Sequence, residues 1–267
     1  MSVFSKVMRP ADGAAWVTGA SGGIGRALCL ALAAEGWCVH ATARSADRLE
    51  ALAAEAEGPG EIRPLPGDVT DAAAMTRAVE SIAAERPLAL AVLNAGVYHP
   101  MRAQTFSAAR ARQTFDVNLA GVANGLEPLL AHMSARGTGH IALTASVAGY
   151  RGLPDAAAYS ATKAGLIAMA EALAMDLVDL GVRISVINPG FVETEATSVN
   201  AFEMPMLMQP EAAATKIVAG LQRPGFEIRF PWQFAAMLRL IGLLPNRWYI
   251  WAVRKALGWE GVEVRGG

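Results

Sequence analysis

The sequence predicts one α/β domain, a doubly wound parallel sheet of about seven strands with helices on both faces. Apolar, β-rich runs alternate with helical patterns along most of the chain, which is typical of repeated β-α-β units. The run from Leu88 to Leu93 is apolar throughout, as expected of a strand buried on both faces. A length of 267 residues suits one large α/β domain better than two small ones.

The predicted elements follow one another in a regular order. The first half holds a strand at 15–17, a glycine-rich turn at 19–25, a helix to Glu35, a strand at 37–43, a helix from the N-cap Ser45 to a stop at 58–60, a strand at 62–67, an amphipathic helix at 71–86 and the strand at 88–93. The second half holds a helix near 107–135, a strand at 140–144, a helix near 155–180, a strand at 182–187 and a last strand at 226–230. Ligands of such sheets bind outside the carboxyl ends of the strands.

The amino-acid composition bears on which partners and which cellular compartment we expect for this chain. The net charge of −1 provides no basic field for a nucleic acid. The hydrophobic fraction is 53%, much of it alanine, which indicates closely packed helices. Cys29 and Cys38 are too few for a disulfide framework and fit a reducing compartment. No signal peptide or membrane-spanning run is recognisable, so we expect a cytoplasmic protein, and we predict no metal site.

A glycine-rich turn follows the first predicted strand and opens the first predicted helix. Glycines there allow a tight turn and close approach to a pyrophosphate, while the helix start supplies free N–H groups and a positive dipole end. We therefore predict a dinucleotide site. The candidate residues in the turn are Gly19, Ser21, Gly22, Gly23, Ile24 and Gly25.

The end of the second strand bears on which dinucleotide binds. A carboxylate at that position holds the ribose 2′-hydroxyl of NAD and repels a 2′-phosphate. This chain has Ala43 there, followed by Arg44, with Arg48 one helical turn further on. Because guanidinium pairs well with phosphate, we favour NADP over NAD. The alternative is that both arginines are ordinary solvated side chains.

Tyr159 and Lys163 are four residues apart and therefore share one face of a predicted helix. A free phenol titrates near pH 10, and a neighbouring ammonium is expected to lower that pKa. Such a phenol can act as a general acid or base. Taken alone, the same pair is common on exposed helix faces.

Other polar residues near predicted strand ends strengthen the case for a site. Ser146 follows the strand at 140–144, and Asn94-Ala95-Gly96 follows the strand at 88–93. Asn118 lies within a predicted helix, where asparagine is unfavourable unless its side-chain amide makes a specific hydrogen bond. Asn188-Pro189-Gly190 follows the strand at 182–187.

With these motifs in this order, residues 12 to about 225 resemble the short-chain dehydrogenase/reductase (SDR) family, whose fold is of the Rossmann type. The resemblance implies a catalytic tetrad: Tyr159 as acid/base, Lys163 tuning it and binding the nicotinamide ribose, Ser146 orienting the substrate oxygen, and Asn118 holding a relay water. It also implies a homodimer or homotetramer. The further cofactor contacts that it implies are Asp68 and Val69 at the adenine, Asn94, Ala95 and Gly96 near the adenosine, and Pro189, Gly190, Val192 and Thr194 along the nicotinamide. One departure is Leu93, where the family often has a second asparagine.

The segment after the sixth strand covers the substrate in this family, and here it is apolar. It contains Phe191, Val192, Ala201, Phe202, Met204, Pro205, Met206, Leu207 and Met208. Methionine adapts to irregular apolar shapes, so this lid suits a hydrophobic substrate. The alternative is that these residues only pack the lid onto the domain. Glu193, Glu195 and Glu203 offer no counter-charge to an acidic substrate.

Residues 226–267 form an apolar C-terminal extension. Aromatic residues and cations alternate through 232–255, a pattern that can mark a helix lying in a membrane interface. The same pattern fits a helix docked on its own domain or on a second subunit, and we favour docking.

Three functional hypotheses follow. The leading one is an NADP(H)-dependent dehydrogenase or reductase acting on a hydrophobic alcohol or ketone. A membrane-peripheral reductase that modifies lipids, or an NADPH-responsive binding protein without turnover, are the alternatives, and related folds also support epimerase and dehydratase chemistry.

Overall fold

The computed structural model describes residues 7–198 and 204–256. Within these segments seven parallel strands form one sheet in the order β3-β2-β1-β4-β5-β6-β7. The strands are β1 (Ala14–Thr18), β2 (Cys38–Thr42), β3 (Glu61–Pro64), β4 (Leu88–Leu93), β5 (Gly139–Thr144), β6 (Val182–Pro189) and β7 (Glu227–Phe230). The predicted fold class, a Rossmann-type doubly wound sheet, is confirmed.

Helices cover both faces of the sheet. They are α1 (Gly23–Ala34), α2 (Ala46–Ala54), α3 (Ala72–Glu85), α4 (Ala108–Phe115), α5 (Gly121–Arg136), α6 (Ala157–Leu177), α7 (Pro210–Leu221), α8 (Trp232–Gly242) and α9 (Asn246–Ala256). None of the helices in the described segments is both long and apolar enough to cross a membrane.

Alternation along the strands divides the core into two layers. Ala15 and Val17 of β1 pack in the layer of α1, α2 and α7, whereas Ala14 and Trp16 pack in the layer of α3, α5 and α6. This is the two-residue period of a strand with apolar contacts on both faces. The indole of Trp16 donates to the Thr42 hydroxyl at 2.8 Å, so its polar atom is satisfied inside the core.

Local sequence explains where several helices begin. The side chains of Ser45, Asp71 and Ser107 accept backbone N–H groups at the starts of α2, α3 and α4. Helix α1 instead follows Gly22, which has no side chain to cap it. Its first N–H groups therefore point toward the carboxyl end of the sheet without a side-chain acceptor from the N-cap.

The predicted helix near 107–135 is confirmed as a continuous helical stretch, but it contains a π-helical turn at Asp116–Ala120 between α4 and α5 that the sequence did not predict. One extra residue in that turn changes the direction of the following side chains, and Asn118 lies in it fully buried. The π-turn therefore coincides with a predicted site residue.

Candidate active site

A cavity of about 1370 Å³ opens at the carboxyl ends of the central strands. The sheet order reverses between β1 and β4, and such a switch point is where doubly wound sheets bind ligands. All sequence-predicted site residues line this cavity except Gly25 and Asn118. Those lining it are Gly19, Ser21, Gly22, Gly23, Ile24, Arg44, Asp68, Val69, Asn94, Ala95, Gly96, Ser146, Tyr159, Lys163, Pro189, Gly190, Val192 and Thr194.

The glycine turn (residues 18–25) forms one end of the cavity through backbone conformation. Gly19 and Gly23 have φ values of 69° and 51°, a region that favours glycine. A Cβ on Gly25 would lie 2.1 Å from the carbonyl oxygen of Gly19. Around Gly22, by contrast, a Cβ would meet nothing within 4 Å. The turn is thus tight on its inner side and open toward the cavity, as a pyrophosphate site requires.

Thr18 and Asn94 join the glycine turn to the end of β4. The Thr18 hydroxyl accepts the backbone N–H groups of Asn94 and Ala95 at 3.0 and 3.1 Å, and the Asn94 amide donates to the Thr18 carbonyl at 3.2 Å. Asn94 was predicted as a cofactor contact, and its amide in the structure holds β1 to β4. Sequence reasoning missed Thr18, although it is the only polar residue in an otherwise apolar strand 14–18.

The far wall at this end carries Arg44 and Asp68. Hydrogen bonds from the backbone and hydroxyl of Thr70, both at 2.9 Å, lower the pKa of Asp68, and the charge of Arg44 contributes. Arg48 pairs with Glu195 at 3.3 Å with both side chains exposed. Arg44 is therefore the guanidinium that lies with the predicted adenine residues, and Arg48 faces the lid.

At the other end, Lys163 and Tyr159 of α6 meet Ser146, which follows β5. The Lys163 ammonium is buried and donates to the Thr144 carbonyl at 2.7 Å, and it lies 5.4 Å from the centre of the Tyr159 ring. The Ser146 hydroxyl donates to the Pro189 carbonyl at 3.4 Å. Ser146 also accepts from the backbone of Ala148 at 3.1 Å, which fixes its orientation.

The pKa directions of this pair differ from the sequence-based expectation. Burial raises the pKa of Tyr159 to about 12, although the nearby Ser146 hydroxyl opposes the rise. Burial also lowers the pKa of Lys163 to about 8. The net direction of the Tyr159 pKa is therefore opposite to the lowering expected from a neighbouring ammonium, because burial disfavours the phenolate.

Asn118 is a connecting residue in the structure. Its Oδ1 accepts from the backbone N–H of Val97 at 2.8 Å, and its Nδ2 donates to the Val97 carbonyl at 3.0 Å and the Thr162 hydroxyl at 3.2 Å. The Thr162 hydroxyl donates to the Tyr159 carbonyl at 2.7 Å. The amide thereby links the segment after β4 to the helix that carries Tyr159.

Sequence reasoning missed the side chains of Tyr98 and His99, which line the cavity. The Tyr98 ring meets the Tyr159 ring edge to face, with centroids 5.1 Å apart. Nδ1 of His99 lies 3.1 Å from the Thr114 hydroxyl. Their position directly after Gly96, at a strand end, was the available signal.

The apolar lid is only partly at the cavity. Phe191 and Val192 line it, whereas the described residues Met204 to Met208 do not. The backbone N–H of Met208 donates to the Phe191 carbonyl at 3.0 Å, which holds the returning chain against the segment after β6. The predicted lid residues Ala201 and Phe202, and Glu203, lie outside the described residues.

Helices α8 and α9, here called the C-terminal hairpin (232–256), hold the loop at 150–153 between Ser146 and Tyr159. The Arg151 guanidinium donates to the Gly242 carbonyl, to the Leu244 carbonyl at 2.7 Å and to Asn246 Oδ1. It also lies 4.2 Å above the centre of the Tyr249 ring. The hairpin is thus attached to the side of the cavity that carries Ser146 and Tyr159.

Two more contacts extend this attachment. The Tyr249 hydroxyl donates to the Gly152 carbonyl at 2.7 Å. Glu227 of β7 accepts hydrogen bonds from Tyr150 and Asn188 and pairs with Arg239 at 2.8 Å, which connects the loop, β6 and α8. Burial opposes ionisation of Glu227, but hydrogen bonds from Tyr150, Asn188 and Arg229 and the charge of Arg239 lower its pKa overall.

The fold and the cavity together define a class of dinucleotide-binding α/β oxidoreductases. A family model described as short chain dehydrogenase matches residues 13–203 of this chain. The protein therefore belongs to the short-chain dehydrogenase family, which uses a nicotinamide cofactor and a small-molecule substrate.

Individual relatives agree with this assignment. The chain is 41% identical over 243 residues to an uncharacterized oxidoreductase of Myxococcus xanthus, covering 90% of this chain and 96% of the relative. It is 34% identical over 183 residues to a 3-oxoacyl-(acyl-carrier-protein) reductase of Thermotoga maritima, covering 68% and 74%.

Among solved structures, an alcohol dehydrogenase from the archaeon Thermococcus sibiricus, complexed with 5-hydroxy-NADP, is similar with a TM-score of 0.74 and 27% identity. The match covers 82% of this chain and 95% of that chain.

Proposed function

We propose that this protein is an NADP(H)-dependent oxidoreductase acting on a hydrophobic alcohol or ketone, with Tyr159 as general acid/base. One observation carries the proposal: Ser146, Tyr159 and Lys163 gather at one end of a cavity whose other end is the glycine turn. A chain that only bound a nucleotide would have no need of serine and tyrosine hydroxyls in one cavity beside a buried lysine.

The cofactor fits the residues present. The open face at Gly22 and the uncapped start of α1 suit a pyrophosphate. Arg44, with Ala43 in place of a carboxylate, supports a 2′-phosphate and hence NADP. The similarity to a dehydrogenase complexed with 5-hydroxy-NADP points the same way.

The residues at the catalytic end divide the proton chemistry among them. A bound nicotinamide supplies or accepts the hydride. In reduction, Ser146 orients the substrate oxygen and the Tyr159 phenol donates a proton to it; in oxidation the phenolate accepts that proton. Burial lowers the pKa of Lys163 to about 8, and its ammonium stabilises the phenolate when charged.

The walls near Tyr159 support an uncharged, apolar substrate. Ala148, Ala156, Tyr98 and Phe191 line this end of the cavity. The name of the Thermotoga maritima relative, an oxoacyl reductase, supports a ketone.

The test is NADPH oxidation followed by absorbance over a panel of aliphatic, aromatic, steroid-like and acyl ketones, with NADH in parallel. Tyr159→Phe should lower kcat by about 10³-fold, within the usual range for a lost general acid, while NADPH binding persists. Tyr98→Phe is the matched control, because it removes a phenol from the same cavity, and it should retain most of the turnover. Undiminished activity of Tyr159→Phe would exclude the acid/base role.

The cofactor preference is tested separately. Arg44→Ala should raise KM for NADPH by roughly tenfold or more and leave KM for NADH nearly unchanged. Equal effects on both cofactors would remove the argument for a 2′-phosphate.

A further inference from the structure

The C-terminal hairpin has one face that packs on the domain and one face that does not. On the packed face, Phe234 and Tyr249 are each only 6% exposed. Phe234 contacts Phe191, with ring centroids 5.7 Å apart. Together with the contacts of Arg151, this anchoring fixes which side of the hairpin points away from the domain.

The outward face is strongly apolar. Leu240 and Leu243 are 70% and 81% exposed, and Trp232 is 65% exposed. On α9, Trp248 and Trp251 meet edge to face with centroids 6.3 Å apart, and both are about half exposed. Large contiguous apolar surfaces are uncommon on soluble monomers and usually mark an interaction site.

The charges of the hairpin have one sign. Residues 232–256 contain Arg239, Arg247, Arg254 and Lys255 and no aspartate or glutamate. Since the whole chain has a net charge of −1, the other residues together carry −5 (−1 minus +4). Arg239 is paired with Glu227 at 2.8 Å, whereas Arg247 and Lys255 lie beside exposed tryptophan rings of α9.

The cations accompany the aromatic rings. The Arg247 guanidinium lies 4.9 Å from the Trp248 ring centre, and the Lys255 ammonium lies 4.9 Å from the Trp251 ring centre. Tryptophan with an adjacent cation suits the headgroup region of a bilayer, where the ring enters the acyl boundary and the charge meets lipid phosphate.

We propose that the outward face of the C-terminal hairpin is a docking surface for a lipid bilayer that carries anionic headgroups. The exposed leucines and tryptophans supply the apolar contact, and the cations supply attraction to negative lipid. A second copy of this chain fits the surface less well. A two-fold interface would bring the same patch together with itself, opposing cations to cations with no carboxylate within 232–256.

The docking surface lies on the reverse side of the helix that packs beside the cavity. Phe234 of α8 contacts Phe191, which lines the cavity. Only the thickness of one helix, about 10 Å, separates the outward face from this wall. A docked molecule therefore holds the catalytic end of its cavity next to the bilayer.

Flotation of the full-length chain with vesicles tests the docking proposal without measuring catalysis. The docking proposal can therefore fail while the proposed function stands, and the proposed function can fail while docking is observed. The protein should float with vesicles of phosphatidylcholine mixed with phosphatidylglycerol. It should float much less with phosphatidylcholine alone, and less as salt is raised. No binding to either vesicle, or equal binding to both, would overturn it.

Two pairs of variants locate the surface. Leu240→Ser/Leu243→Ser/Ile250→Ser should lower vesicle binding at least tenfold, whereas Phe106→Ser/Met175→Ser/Leu180→Ser, which removes exposed apolar residues elsewhere, should not. Arg247→Gln/Lys255→Gln should weaken binding to the mixed vesicles roughly tenfold or more, whereas Arg86→Gln/Lys216→Gln should leave it nearly unchanged. Equal losses in a variant and its control would refute the assignment.

Thermal unfolding of each variant checks that the fold is retained, which is expected because the replaced side chains are exposed. Light scattering measures the oligomeric state and so tests the alternative that a second copy of this chain binds the surface. If the wild-type protein is an oligomer that the leucine and isoleucine substitutions dissociate, while vesicles capture neither, the surface is a subunit interface and the proposal is wrong.

Discussion

The two ends of the cavity are built by different means. At the glycine turn, backbone atoms lie so close together that Gly25 has no room for a Cβ. At the end that carries Tyr159, side chains reach across from distant elements, as Lys163 does to Thr144 and Arg151 does to the C-terminal hairpin. The first construction tolerates almost no change at its closely packed positions such as Gly25, whereas the second is a set of separable contacts. Substitutions at each end should therefore differ in how strongly they affect stability and cofactor binding.

The largest effect is expected at the glycine turn. In Gly25→Ala the new methyl group would meet the Gly19 carbonyl, a backbone atom that cannot turn aside. We expect the free energy of unfolding to fall by about 3 kcal/mol or more and NADPH affinity to fall at least tenfold, measured by chemical denaturation and fluorescence titration.

Gly22→Ala is the matched control, because its Cβ meets nothing and its φ of −170° is extended backbone. Its stability should stay within about 1 kcal/mol of the wild type. Similar losses in the two variants would mean that the turn is not specified by close backbone contact.

At the other end, Arg151→Ala removes a guanidinium that binds three acceptors of the hairpin. Hydrogen bonds of charged groups are worth more than neutral ones, so we expect a loss of about 2–3 kcal/mol in unfolding free energy and faster proteolytic cleavage within 232–256. Arg247→Ala, on the outward face, should change both readouts little. Proteolysis at wild-type rates would contradict the role given to Arg151.

Lys163 should give the stability curve a distinct pH dependence. Burial lowers its folded pKa to about 8, below the ordinary lysine value of 10.5, so the unfolded chain binds more protons between these values and stability rises with pH in that window. Relative to Lys163→Met, the wild type should gain about 2 kcal/mol between pH 8 and pH 10. Denaturation at both pH values measures the gain. The exposed Lys216→Met should follow the wild type, and parallel profiles for wild type and Lys163→Met would show that the ammonium is not desolvated.

The smallest effect is expected from Tyr249→Phe, which deletes one hydrogen bond to the Gly152 carbonyl. The loss should be about 1 kcal/mol. Because Tyr249 and Arg151 hold the same loop, their losses should be less than additive in a double-mutant cycle. Full additivity would show that the contacts act independently and would weaken the description of loop and hairpin as one unit.

The sequence predicted features that depend on local pattern. Strand β4 was recognisable because six consecutive apolar residues suit burial on both faces, and the glycine turn because its residues are constrained by its own backbone. The gathering of Ser146, Tyr159 and Lys163 followed from strand ends meeting at one edge of a sheet.

Features that depend on contacts between distant segments were not predictable in this way. Lys163 binds a carbonyl 19 residues earlier, and Asn118 binds Val97 and Thr162 from a π-turn that no periodicity indicated. The direction of the Tyr159 pKa depends on how deeply the phenol is buried, which a spacing of four residues does not reveal.

The attachment of Arg151 also determines how this chain can exchange parts with its relatives. Arg151 lies inside the stretch 13–203 matched by the family model, whereas its partners Gly242, Leu244 and Asn246 lie beyond it. A chimera that transplants this tail onto another member must therefore carry the 150–153 loop with it. If the recipient has no guanidinium at the corresponding position, three acceptors in the turn between α8 and α9 would bind water instead. The transplanted tail would then lack the contacts that hold it to the domain.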